Sequence, residues 1–368
     1  MFIEMNRRAI LLAAILPVFV LVCCDDSPTT PGAEYEVLIP VSPQPRGDRL
    51  FGITISESIN GFESSFAVAR EAGVQIIELN IPWNCIEVSE GVYQDPWGGV
   101  FGATSFYGDN GISLMLGLAV INTVTATCPD YLEGYDWDSP EMIEAFNNLV
   151  DWVMLNIPPN VDLICISVGN EVDLYLDESD WLSYISFFQA ASEHINVNYP
   201  DVAVGVKVTV MNGVFGDDYA RAQELNRYSD VVMLNYYPQT PSCIVLDPEI
   251  VESHFNQIEA LFSGREIWFN EVGYQSGSEY CGSSQTKQAE FYHHLFAAWD
   301  SNRASIGLIL IDWLHDVSPE VLAEYEEYYG SSDPAFLEYL ATLGLRNYND
   351  TDKYAWVQLL AETSARGW

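Results

Sequence analysis

Eight short apolar runs, separated by stretches of helical period, constrain this chain more than any other feature. The runs are 51–55, 74–81, 112–118, 162–168, 202–208, 230–235, 266–270 and 306–311. Each is long enough for a strand, too short for a helix and rich in β-branched residues. Between them the pattern turns helical. Ser139-Pro140-Glu141 supplies an N-cap, a first-turn proline and an acid beside a helix N-terminus, and Ile143, Phe146, Val150, Val153 and Met154 then share one face. Asp247-Pro248-Glu249 opens a second helix the same way, and 179–197 and 285–300 keep helical periods. Eight strand–helix units predict an α/β fold of one kind, a single (β/α)8 TIM barrel over 49–368. Residues 317–345 read as an enlarged eighth connection and 353–364 as the closing helix. An open doubly wound sheet is the competing arrangement, but no GxGxxG follows the first run.

Charge narrows the partners. The 368 residues carry 14 Lys+Arg against 53 Asp+Glu, a formal net charge of −39. Such a surface repels phosphate backbones, so nucleic acid is an unsuitable partner. The acidity itself reads as a solvated surface and names no substrate. Lysine occurs only at Lys207, Lys287 and Lys353.

The N-terminus reads as a targeting segment. Arg7-Arg8 precede an uncharged run, 9–22, that is short for a bilayer span and ends in Cys23-Cys24-Asp25-Asp26. This resembles a bacterial lipoprotein signal: residues 1–23 would be removed, Cys24 lipidated, and 24–48 left as a Pro/Ser/Thr/Gly-rich tether. The expected location is therefore an exported, membrane-anchored lipoprotein, with simple secretion as the alternative and the lipid as its only membrane contact. Export places five further cysteines in an oxidising compartment. Cys85 and Cys128 fall after the second and third strands, Cys243 and Cys281 after the sixth and seventh. Neighbouring loops predict disulfides Cys85–Cys128 and Cys243–Cys281. Cys165, inside an apolar run, reads as a buried thiol. No CxxC, HxH or HExxH occurs, so no metal site is expected. The GxSxG elbow of a serine hydrolase is missing too.

Barrel active sites lie at the C-terminal ends of strands. The fourth run ends Gly169-Asn170-Glu171 and the seventh Asn270-Glu271-Val272-Gly273. A glutamate where a buried strand emerges is costly without partners or a task. These segments resemble the fourth- and seventh-strand motifs of clan A glycoside hydrolases. Leu234-Asn235-Tyr236-Tyr237-Pro238 is similar to the clan's sixth-strand segment, and Ile311-Asp312-Trp313 to its eighth. Pro82-Trp83 with Gly91-Val92-Tyr93, and Lys353-Tyr354-Ala355-Trp356, add to the likeness.

The resemblance implies a retaining β-glycosidase. Glu171 would be the acid/base and Glu271 the nucleophile, and no cofactor would be needed. Asn170 would bind the sugar 2-hydroxyl. Tyr236 or Tyr237 would orient Glu271, with Tyr236 nearer the inferred strand end. Trp313 would be a sugar platform. Trp83, Tyr175 and His315 are further candidates for the cleft, each with a packing role as its alternative. One departure stands out: where many clan members carry a second-strand arginine this chain has Glu78, and 71–220 contains no arginine. The base of the site must then be neutralised differently, or the barrel binds carbohydrate without cleaving it. Transglycosylation with the same residues is a third reading.

Overall fold

The computed structural model describes residues 35–368. The expected signal 1–23, the lipidation site Cys24 and the tether up to residue 34 lie outside the described residues. The eight runs form parallel strands: β1 (Leu50–Ile53), β2 (Ile76–Pro82), β3 (Ser113–Asn122), β4 (Leu163–Asn170), β5 in two pieces (Ala203–Gly205 and Lys207–Thr209), β6 (Val232–Tyr236), β7 (Ile267–Val272) and β8 (Ile306–Ile311). Each pairs with its sequence neighbours, and β8 pairs with β1. The first piece of β5 bonds to β4 and the second to β6, so this strand closes the ring. The fold is the (β/α)8 barrel, not the open sheet.

The longer helices are α1 (Phe62–Glu71), α2 (Pro140–Asn156), α3 (Trp181–Asn198), α4 (Tyr219–Leu225), α5 (Ile250–Leu261), α6 (Gln285–Ser301), α7 (Pro319–Tyr329), α8 (Pro334–Ala341) and α9 (Tyr354–Arg366). α2 starts as its sequence dictates: the Ser139 side chain accepts from Met142 N, and Phe146, Leu149, Val150 and Val153 face the sheet. α7 and α8 fill the long connection after β8.

The pleat sorts each strand into two faces. Val204, Val206 and Val208 of β5 pack outward against the helices, as do Ile77 and Ile81 of β2. Ile76, Met115, Cys165, Met233, Trp268, Leu308 and Leu310 point inward and fill the lower barrel. The same alternation aims Glu78 and Asn80 on β2, and Lys207 on β5, into the interior one layer higher. Gly117 on β3 makes room there, because a Cβ at that position would collide with the Asn80 side chain. Barrel interiors are ordinarily filled by branched apolar side chains. This one carries a charged layer directly below the strand ends that bear the site.

The opposite end is closed by a buried ion-pair cluster. Asp300 accepts from Arg49 Nη1 at 2.9 Å, from Arg366 Nε at 2.9 Å and from the Gln44 backbone N–H at 3.0 Å. Residues 35–48, the described part of the expected tether, are held along α9: the Tyr35 hydroxyl and Leu38 N–H both donate to Gln358, and the Tyr35 ring stacks on Tyr354. Asp300→Ala would leave two buried guanidinium groups short of counter-charge. Urea unfolding should then report a loss of about 3–5 kcal/mol with an unchanged slope.

The expected disulfides do not form; Cys85, Cys128, Cys165, Cys243 and Cys281 are all free thiols. The loops are neighbours as inferred, and Cys243 and Cys281 share one buried cluster, yet no sulfur is bonded to another. Cys85 Sγ lies against the Asn84 side chain, Cys128 Sγ against the Val120 carbonyl and Cys281 Sγ against the Ala335 carbonyl, at 3.7, 4.0 and 3.3 Å. Loop adjacency does not fix the Cβ directions a disulfide requires.

Candidate active site

Glu171 and Glu271 meet over the charged layer. The chain leaves β4 through Gly169 at φ 90° and Glu171 itself at φ 50°. A side chain at Gly169 would strike Val172 and the Tyr184 hydroxyl. Left-handed backbone at a glutamate is uncommon and persists only where its surroundings impose it. Here it directs the carboxyl over the barrel axis. Just beyond, Asp173 pins the segment to β5 by accepting from Thr209 N and Thr209 Oγ1 at 2.9 and 2.6 Å.

The Glu171 carboxyl accepts from Thr123 Oγ1 at 3.1 Å and from Asn235 Nδ2 at 3.2 Å. Burial pushes it up to about 8, the Glu271 charge adds to the rise, and the Asn235 and Thr123 hydrogen bonds oppose it. Glu271 accepts from the Tyr237 hydroxyl on Oε2 at 2.8 Å, and Lys207 Nζ stands 3.7 Å from Oε1. Burial raises this carboxyl too, but Lys207 pulls it back. The two acids therefore have different surroundings. Glu171 has only neutral donors, whereas Glu271 has a buried ammonium. Both are raised by burial, and only Glu271 has a cation opposing the rise. Asn235 Nδ2 donates to Glu171, and the same side chain is near enough to Glu271 to help lower its carboxyl.

A third acid, Asp312, lies at the end of β8. Burial and the charge of Glu271 hold it far above the usual carboxylate range. The Tyr237 hydroxyl is 3.1 Å from Asp312 Oδ2 as well as 2.8 Å from Glu271. One phenolic proton cannot serve both. With Asp312 protonated, it donates to the Tyr237 oxygen and Tyr237 donates to Glu271. Tyr237→Phe should cut kcat about 10- to 100-fold, the worth of a hydrogen bond to a charged group, while Tyr236→Phe should change it little; steady-state kinetics on the two variants checks both.

Several expected site residues lie elsewhere. Asn170 is in place, buried beside Glu171, and accepts from Asn235 Nδ2 at 3.2 Å. Tyr236 is not the orienting tyrosine. It is fully buried among the helices and its hydroxyl meets His254 Nδ1 at 2.9 Å. The pleat of β6 decides this: Met233 points inward and Leu234 and Tyr236 pack outward against the helices, so Asn235 and Tyr237 fall on the inner face. Trp83 is core: 0% exposed, edge-on to Phe146, with its indole N–H on Glu87 Oε2 at 2.9 Å. His315 is likewise sealed, its ring held between the Ser56 carbonyl and Asp350. Tyr175 is partly exposed and makes no hydrogen bond to either carboxyl. Trp313 lies near the site with one face stacked on Tyr325, centroids 5.6 Å apart and planes 4° from parallel.

Sequence reasoning did not single out Thr123, Asn235, Asp312 or Lys207 as functional. For Lys207 a signal existed: it is the sole lysine before Lys287, and it interrupts the apolar run 202–208. Its Nζ lies 3.1 Å from Glu78 Oε1 and 2.9 Å from Asn80 Oδ1. The site is thus neutralised from β5 rather than by an arginine on β2.

No family model matches the chain. Nor does any curated protein. Solved structures do match in fold. A GH5_18 protein from Bifidobacterium longum is 13% identical, with a TM-score of 0.65 over 87% of this chain and 80% of that one. An exo-β-1,4-mannosidase from Opitutaceae bacterium strain TAV5 is 15% identical, with a TM-score of 0.67; this chain covers 59% of it, and 86% of this chain is matched. A family 39 glycoside hydrolase from Bacteroides cellulosilyticus WH2 is 14% identical, with a TM-score of 0.58 over 87% of this chain and 65% of its own. At such identities the likeness establishes the barrel alone.

Proposed function

We propose that the protein is a retaining glycoside hydrolase acting on β-linked oligosaccharides, with Glu271 as nucleophile and Glu171 as acid/base. The observation that carries this reading is the unequal treatment of two adjacent buried carboxyls, one beside an ammonium and one among neutral donors. In the first step a Glu271 oxygen attacks the anomeric carbon while the bond to the leaving oxygen breaks and takes the Glu171 proton. In the second, water attacks that carbon, Glu171 accepts its proton, and the ester to Glu271 is released. Contact of one Asn235 side chain with both carboxyls favours the short separation used in double displacement over the wider one that admits a water. The fold neighbours support the class: they include an exo-β-1,4-mannosidase, a family 39 glycoside hydrolase and GH5_18 proteins in complex with Manβ1-4GlcNAc.

Helix α7 supports a preference for chain ends. Its C-terminal half bridges two strand ends: Tyr325 stacks on Trp313 after β8, and one turn on the Tyr328 hydroxyl donates to the Asn122 carbonyl of β3 at 2.6 Å. A helix strapped across the barrel mouth favours a terminal sugar over a continuous polymer. Sugar release should therefore be measured on β-linked manno-, gluco-, galacto- and xylo-oligosaccharides and the matching polymers, with Glu271→Ala alongside. Release from one oligosaccharide series that vanishes in the variant is expected. A folded wild-type protein retained by one polymer on an affinity gel, yet inert on every substrate, would favour the binding barrel instead.

A further inference from the structure

Lys207 is a charged residue with 0% exposure in the middle of the barrel. An ammonium is brought there only if its surroundings repay the loss of water. It has two carboxylate neighbours, Glu78 at 3.1 Å and Glu271 at 3.7 Å, and one neutral acceptor, Asn80 at 2.9 Å. Glu78 is itself nearly sealed, with a 4% exposed side chain, and its other contact is Ser167 Oγ at 3.5 Å. Pleat alternation on β2 and β5 aims all of these side chains into one layer beneath the reacting carboxyls. One cation is thus divided between a carboxylate that faces the site and one that does not.

We propose that Lys207 is a positioning residue that holds Glu271 ionised and fixed for attack, and that Glu78 is a built-in competitor that limits how strongly Lys207 acts on it. The inference rests on the glycosidase reading for its purpose, but its physical content concerns two charges acting on a third. The remaining groups around Glu271 are Glu171, Asp312 and the tyrosines 237, 325, 329 and 339. Cys165 lies near the Lys207–Glu78 pair. None of these is a second cation, so removing Lys207 leaves the carboxyls without positive charge. Removing Glu78 instead leaves the ammonium wholly to Glu271.

The two substitutions must therefore act in opposite directions, which a merely structural role would not produce. The experiment is a carbon-13 NMR titration of glutamate-labelled full-length protein, with the Glu271 carboxyl identified by its loss in Glu271→Gln. In Glu78→Gln the Glu271 midpoint should fall, and in Lys207→Met it should rise, each by about one pH unit or more. The double variant removes both charges and should lie between them. Where wild-type activity is measurable, the acidic limb of kcat/KM should follow the same order. Midpoints unmoved in both variants, or moved the same way, would overturn the inference. Should Lys207→Met not fold, Glu78→Gln decides alone, a fall supporting the inference and anything else refuting it. Because NMR reads the carboxyl without turnover, an inactive protein whose midpoints shift as described would refute only the glycosidase reading.

Discussion

Glu271→Ala is expected to lower kcat by about five orders of magnitude while leaving the fold intact. In the proposed mechanism a Glu271 oxygen forms the bond of the first step, and no other carboxylate shares its contact with Lys207 on the site side. Asp312 shares Tyr237 with it, but burial and Glu271 itself hold its carboxyl well above the usual carboxylate range. The variant also removes the charge that helps raise Glu171, so the acid/base should titrate lower than in the parent. Stability should not fall as activity does, because one of several mutually repelling acids has gone. Added azide should enter the vacated space and restore cleavage, giving a glycosyl azide of inverted configuration. Kinetics with and without azide, together with thermal unfolding, test each part.

Glu171→Gln has the second-largest effect. On substrates with poor leaving groups, loss of a positioned acid should cost about 10²- to 10⁴-fold. On activated aryl glycosides the first step needs little acid help, so bond cleavage should outrun ester hydrolysis and produce a burst. In the parent, activity should fall on the alkaline side near pH 8, as Glu171 gives up its proton. Glu171 and Glu271 interact strongly, so the profile reports apparent values of the pair.

The same shift makes stability, like activity, fall as pH rises. The folded protein holds this proton more tightly than the unfolded chain does. The stabilisation is complete below the ordinary glutamate value and is lost as pH rises toward about 8. Glu171→Gln should accordingly unfold at a higher temperature than the parent at pH 9, with the difference vanishing at pH 4. Thermal scans at the two pH values measure it.

The barrel was legible because its period is coarse. Eight apolar runs survive errors of a residue or two at each end, and parallel closure follows from their alternation with helices. Glu171 and Glu271 were legible because a polar residue ending a buried run is conspicuous. The surrounding residues were harder for local reasons. The choice between Tyr236 and Tyr237 turned on the parity of the β6 pleat, which puts Asn235 and Tyr237 inward and Tyr236 outward, whereas nearness to the strand end pointed to Tyr236. His315 follows the β8 end like a cleft residue but turns back to Ser56. The cysteine pairings rested on loop adjacency, whereas bonding depends on side-chain direction. Lys207 was visible as an isolated charge in a strand. Its partners Glu78 and Asn80 lie more than 120 residues away in sequence, so its purpose emerged only once β2 and β5 faced each other across the barrel.

The most direct test is covalent capture of the intermediate. The protein would be incubated with activated 2-deoxy-2-fluoro β-glycosides of mannose, glucose, galactose and xylose, then digested and analysed by mass spectrometry. One of these sugars should add to the peptide containing Glu271, with the adduct absent from Glu271→Gln. An adduct on another carboxylate, or turnover of the matching aryl glycoside with inversion at the anomeric carbon, would contradict the assignment of Glu271 as nucleophile.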